Sequence, residues 1–151
     1  MEHDVHRIDL ALALASDSAK AGEEKFPLDK VRMQKAVFLV AMRGTPRLKS
    51  LYRFLPYNWG PYSGDLTADV DSMIRAGQVA VRQTPGRQHG GYETTQAGEV
   101  RGSQVWANLE PNEQQFIQSV RNYVTNRSFE HLLREIYAEY PDFATKSRFR
   151  G

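Results

Sequence analysis

The chain has 151 residues, 40% of them apolar and 25% charged, with a formal net charge of +2; this suits one compact domain and is too short for two of ordinary size. The absence of cysteine excludes a disulfide framework, thiolate zinc sites, iron–sulfur clusters and a cysteine nucleophile, and leaves the redox compartment open. The longest apolar stretch, Ala36 to Met42, falls far short of the about 20 residues a membrane helix needs, and no basic segment precedes an apolar one at the start, so a soluble cytoplasmic protein with no membrane partner is expected.

From about Asp4 to Ala19, the residues Val5, Ile8, Leu12 and Ala15 fall on one stripe that Leu10 and Leu14 widen, which predicts a helix. A second helix is expected from an Asp29 cap to about Met42, with Gly44 as a left-handed stop. It is apolar on most sides from Ala36 onward and so belongs near the centre. Pro46, Pro56 and Pro61 break any helical pattern over residues 43–62, leaving Leu51 to Leu55 as a short strand followed by an aromatic loop. Ser63 caps the next helix, whose Leu66, Val70, Met73 and Ile74 share a stripe and which ends at Gly77. Gln78 to Thr84 and Gly91 to Thr94 read as two strands joined by a polar tip. Thr95 then caps a helix reaching toward Trp106. Pro111 opens another, with Phe116, Ile117, Val120, Tyr123 and Val124 on its apolar face, and Ser128 starts a last one that Pro141 closes. The expected fold is mostly α with a small β-hairpin. Within a single domain of residues 1–151, a winged-helix-like core covers about 4–95, a C-terminal helical extension about 96–145 and a basic tail 146–151.

The charge is unevenly spread. Lys30, Arg32, Lys35, Arg43, Arg47, Lys49 and Arg53 occur with no acidic residue among them, and Lys146, Arg148 and Arg150 crowd the end. A basic run of this kind can attract phosphate backbones or an acidic partner. Arg82, Arg87 and His89 concentrate donors on the hairpin, and together with Lys30, Arg32, Lys35 and Arg43 of the second helix they form the candidate nucleic-acid surface. The third helix of a winged helix commonly enters the major groove, but here its solvent side offers Asp65, Asp69 and Asp71 against Arg75, which phosphates would repel. Catalytic constellations are thin. Asp65 and Asp69 share a helix face without a recognisable pocket, His3 and His6 precede Asp9 without a third ligand, and no GxxxxGK[ST] loop occurs. No catalytic residue, metal or cofactor is therefore expected.

The most distinctive segment runs from Phe54 to Ser63, where four aromatic rings and two prolines surround one glycine immediately before a helix. It can anchor the third helix against the second. The alternative is that it presents Tyr57, Trp59 and Tyr62 to a ligand or partner, since aromatic rings at this density often form interaction hot spots.

Met33-Gln-Lys-Ala-Val-Phe-Leu39, Tyr57-Asn-Trp-Gly-Pro-Tyr-Ser63, Ala76-Gly-Gln-Val79 and Tyr92-Glu-Thr-Thr-Gln-Ala-Gly98 follow one another in an order that resembles the YwgA-like bacterial protein family and, more distantly, the Panacea (SocA-like antitoxin) domain. The ending Ile136-Tyr-Ala-Glu-Tyr-Pro-Asp-Phe-Ala-Thr-Lys-Ser147 is similar to the tail of the former group. The resemblance implies a winged-helix-like, non-enzymatic domain of prokaryotic regulatory, toxin-neutralising or phage-defence settings, and it brings no catalytic residues. Two functions are then expected. The first is a DNA-associated regulator or phage-defence accessory protein holding duplex DNA phosphates through Arg82, Arg87, His89 and the basic second helix. The alternative is an antitoxin-like interaction module that binds a toxin or defence enzyme through Tyr57, Trp59 and Tyr62. A homodimer is compatible with either.

Overall fold

A computed structural model describes residues 5–83, 85 and 90–149. The first helix, α1 (Arg7–Ala15), is buried from Leu10 to Ala15 and so runs through the interior rather than along a surface. Its expected continuation to Ala19 is broken at Ser16. The Ser16 hydroxyl donates to the Ala13 carbonyl at 2.6 Å, in competition with the helical ladder, and a 3-10 turn (Asp17–Ala19) follows. The break has a use, because the carbonyls of Leu14 and Ser16 accept from Arg121 Nη1 at 2.7 and 3.0 Å.

Asp29 caps α2 (Lys30–Arg43), accepting from the Arg32 amide at 2.9 Å. Every residue from Arg32 to Val40 is buried, which makes α2 the central helix. Gly44 ends it, though not by the expected left-handed turn: φ there is −73°, and the glycine is required because a Cβ would stand 2.5 Å from the Val40 carbonyl. A one-turn helix, α3 (Pro46–Lys49), follows.

The strand expected at Leu51 to Leu55 is displaced. Instead β1 (Leu55–Tyr57) and β2 (Gly60–Tyr62) form an antiparallel hairpin with Leu55 opposite Tyr62, Pro56 opposite Pro61 and Tyr57 opposite Gly60. The pair flanking a two-residue turn exchanges both ladder hydrogen bonds and the next pair exchanges none. The two prolines therefore occupy the one position where a missing N–H costs nothing.

Ser63 caps α4 (Gly64–Arg75), and the helix closes with Gly77 at φ +75°, its amide on the Ile74 carbonyl and that of Gln78 on Met73. β3 (Val79–Arg82) and β4 (Gly91–Thr94) pair antiparallel, and the Tyr92 amide bonds the Leu28 carbonyl beside an isolated bridge between Asp29 and Gly91. The strand-like partner of the wing is thus the residue pair just before α2, not residues 51–55. With β1 and β2 inserted between the second and third helices, the order α1, Asp29 bridge, α2, α4, β3, β4 is winged-helix-like.

The remaining helices are α5 (Gln96–Ala107), packed on α1, α6 (Pro111–Thr125), packed on α2, and α7 (Phe129–Glu139), which reaches β2. One apolar cluster joins Leu10 of α1, Phe38 of α2, Ile117 of α6 and Leu132 of α7. The Phe38 ring takes edge contacts from Phe54, Tyr140 and Phe143 at centroid distances of 5.5, 5.3 and 4.8 Å. A final 3-10 turn (Pro141–Ala144) packs on β1, and beyond it the Arg148 amide donates to the Asn58 carbonyl at 2.8 Å. The protein is mostly α with two small hairpins. Among the described residues no helix is long and apolar enough to cross a membrane.

Candidate functional site

Among the described residues, the cations singled out by sequence do not assemble into one surface. Lys30 is exposed at the start of α2. Arg32 is 5% exposed: Nη1 bonds Asp29 at 2.7 Å, Nε and Nη2 bond the Val124 and Arg127 carbonyls at 3.0 Å each, and the guanidinium lies 4.5 Å from the centroid of Phe26. It thereby serves the C-terminal carbonyls of α6, where a cation is favoured. Lys35 is 3% exposed and donates to the Pro61 carbonyl at 3.2 Å. Arg43 donates to the Tyr140 hydroxyl at 2.9 Å and to Glu139, which ties α2 to the end of α7. Arg82 is exposed but pairs with Glu93 across the wing at 2.6 Å. Arg87, His89 and the tail residue Arg150 lie outside the described residues, as does His3. The expectation that Arg32 and Lys35 reach phosphates is thus corrected: α2 is central, so its polar face meets other elements instead of solvent. Asp69 needs a similar correction. It is 9% exposed rather than on the solvent side of α4, and it accepts from the Tyr52 hydroxyl at 2.7 Å and from Arg7 Nε at 3.0 Å.

A different site comes together around the β1–β2 hairpin. Leu55, Tyr57 and Trp59 are 60%, 52% and 45% exposed, and Leu55 and Tyr57, two apart on one strand, share a face. The Tyr57 ring stands 5.1 Å from that of Tyr62, and Trp59 leans on Phe129 at 6.2 Å. The hairpin is braced at several points. Gln34 of α2 accepts from the Ser63 amide at 2.8 Å and donates to the Ser63 carbonyl and Thr67 Oγ1 at 3.0 Å each. Thr67 in turn donates to the Tyr62 hydroxyl at 2.9 Å. Lys35 holds Pro61, and Arg148 holds the turn at Asn58. Sequence reasoning missed Gln34 as the strut. Its neighbours Arg32 and Lys35 make this part of the second helix look like a solvated face, so no local signal set Gln34 apart as a buried polar group that must find partners.

Between the hairpin, α2 and α4 lies a cleft of about 500 Å³ whose lining includes Lys35, Tyr57, Trp59, Tyr62, Asp71 and Tyr92. Burial pushes the Lys35 ammonium down to about 7, with Asp29 offsetting only part of that effect. Burial also pushes the Tyr92 hydroxyl up to about 12, assisted by the charges of Asp71 and Asp29. A second depression of about 640 Å³, lined in part by Arg53, Leu55, Tyr57, Asp65 and Lys146, adjoins the same hairpin. The arrangement offers exposed rings on a fixed backbone, with an amine and hydroxyl donors behind them. Comparisons with protein-family models, curated proteins and solved structures gave no match to this chain.

Proposed function

We propose that this chain is a non-enzymatic protein-interaction module of cytoplasmic setting, whose partner docks on the β1–β2 hairpin. One observation carries the reading: Leu55, Tyr57 and Trp59 are held out of the core on a hairpin braced by Gln34, Lys35 and Arg148. Large apolar side chains on a fixed backbone lose little conformational freedom on docking, which is the chemistry of interface anchors. The resemblance to antitoxin domains agrees with a toxin or defence enzyme as the partner. The duplex-DNA reading is left with Lys30, with Arg43 and Arg82, both exposed but paired with Glu139 and Glu93, and with two undescribed positions, since Arg32 and Lys35 are engaged inside the fold.

The test uses the partner recovered from native cells, identified, purified and titrated against the full chain. Tyr57→Ser combined with Trp59→Ser is expected to weaken the complex by about 2 kcal/mol or more per anchor while leaving the thermal midpoint within a few degrees. Unchanged affinity, or a collapse of the midpoint showing that the rings belong to the core, would reject the reading. A salt series with duplex DNA provides the competing arm, because neutralising Z phosphates gives a log–log slope of about −0.9Z. A steep slope that Arg82→Ala reduces would favour DNA.

A further inference from the structure

We infer that the cleft between the β1–β2 hairpin, α2 and α4 receives the carboxylate side chain of a docking protein segment, paired with Lys35 and flanked by the tyrosine rings. The inference rests on the partner-docking reading above and gives that partner a chemistry.

An ammonium carries three donors, and the Pro61 carbonyl, at 3.2 Å, takes one of those on Lys35. A charge buried this deeply is ordinarily met by an opposite one. Among the described residues no carboxylate lies within ion-pair distance of Nζ, and Asp29, whose charge acts on it from farther off, is committed to Arg32 at 2.7 Å. Lys35 nevertheless belongs to the lining of the cleft, and the hairpin makes room for its side chain. A Cβ on Gly60 would stand 2.7 Å from Lys35 Cε and 3.2 Å from Nζ.

The walls fit the same occupant. Tyr62 and Tyr92 bring hydroxyls, and Tyr57 and Trp59 belong to the cleft and to the exposed patch at once, so a segment covering the patch also covers the mouth of the cleft. Its volume, about 500 Å³, lies in the ordinary range of ligand-binding clefts and so leaves room for a side chain. Lys30 adds a second cation to the lining, and Asp71, beside Tyr92, leaves an acceptor for a donor of the incoming backbone. The titratable groups around Lys35 are Asp29 and Lys30 at the start of α2, Tyr57 and Tyr62 of the hairpin, Asp71 of α4 and Tyr92 of β4. The continuity of cleft and patch favours an acidic residue of a protein segment over a free small acid.

The full chain is titrated calorimetrically at about pH 6 with two probes, acetyl-Phe-Glu-Phe-amide and acetyl-Phe-Gln-Phe-amide. The Glu probe is expected to bind about tenfold tighter or more, and Lys35→Met to abolish the difference. In the unsubstituted protein at about pH 8, the Glu probe should take up protons on binding and the Gln probe should not, as read from buffers of different ionisation enthalpy. Equal affinities, no saturable binding by either probe, a Glu preference surviving in Lys35→Met, or no proton uptake would overturn the inference. Binding of 3-phenylpropionate as tight as that of the Glu probe would assign the cleft to small acids and overturn the protein-segment occupant. If the Tyr57→Ser, Trp59→Ser variant loses the partner while the Glu preference is absent, the docking reading stands and this one falls. If that variant keeps the partner, the docking reading itself falls.

Discussion

Lys35 costs the fold stability wherever it is charged, and the pH dependence of that cost follows from its environment. Its ordinary value of 10.5 is lowered to about 7 by burial. Below pH 7 both the folded and the unfolded chain hold the proton, and the burial penalty is fully present. Between about 7 and 10.5 the unfolded chain keeps a proton that the folded chain has released, so stability rises with pH across that window. Lys35→Met should therefore raise the thermal midpoint at about pH 6 and flatten its rise toward about pH 9; an unaltered slope would show that the amine is not buried as described. Tyr92 acts with the opposite sign above about pH 10, where the unfolded hydroxyl ionises before the folded one, which is pushed up to about 12. At the acidic end stands Glu113, 2% exposed and bonded by Arg47 Nε and Thr45 Oγ1 at 2.8 Å each. The Arg47 hydrogen bond, ahead of the opposing effect of burial, holds its carboxyl down at about 2. Its stabilisation is present above the ordinary carboxylate range and is lost as pH falls toward 2. Glu113→Ala is expected to cost about 3 kcal/mol in urea unfolding at neutral pH and much less at about pH 2. An equal loss at both would assign the cost to packing instead of to the ion pair.

Among the elements, the local signals were legible. Asp29, Ser63, Thr95 and Ser128 each accept a first-turn amide as the sequence predicts, and Pro111 opens α6, because a cap is decided within four residues. The β1–β2 hairpin was not legible. Pro56 and Pro61 look like breakers until the register sets them opposite each other, and a register is a relation between strands that no single window contains. Gly60 is the residue on which this element turns. Its φ is +98°, and a Cβ there would meet Leu133 Cδ2 at 2.8 Å as well as the Lys35 chain. Gly60→Ala combines left-handed strain with displacement of two buried side chains and is expected to cost about 2 kcal/mol or more. Denaturant melts give that loss, and Trp59 fluorescence, isolated with Trp106→Phe, reports whether the turn moves with it. A neutral effect would mean that the hairpin is not held against α2 and α7.

For the molecule as a whole, the small net charge conceals a set of struts between elements. Arg7 joins α1 to Asp65 and Asp69 of α4, Arg101 joins α5 to Asp9, Arg121 reaches Glu24, and Arg47 and Arg43 meet Glu113 and Glu139. Within the basic run from Lys30 to Arg53, Arg32 pairs with Asp29 just before it, while Arg43 and Arg47 find their carboxylates, Glu139 and Glu113, more than sixty positions away. Sequence separation therefore hid the balance, and the cleft around Lys35 with it, whereas the mostly helical class followed from periodicity that each segment carries by itself. The bond from the Arg148 amide to Asn58 has one more implication. It is a backbone hydrogen bond made by a residue outside any helix or strand. Its release would unclasp the very turn that displays Trp59, so the aromatic display is open to adjustment from outside the hairpin without altering a single residue in it.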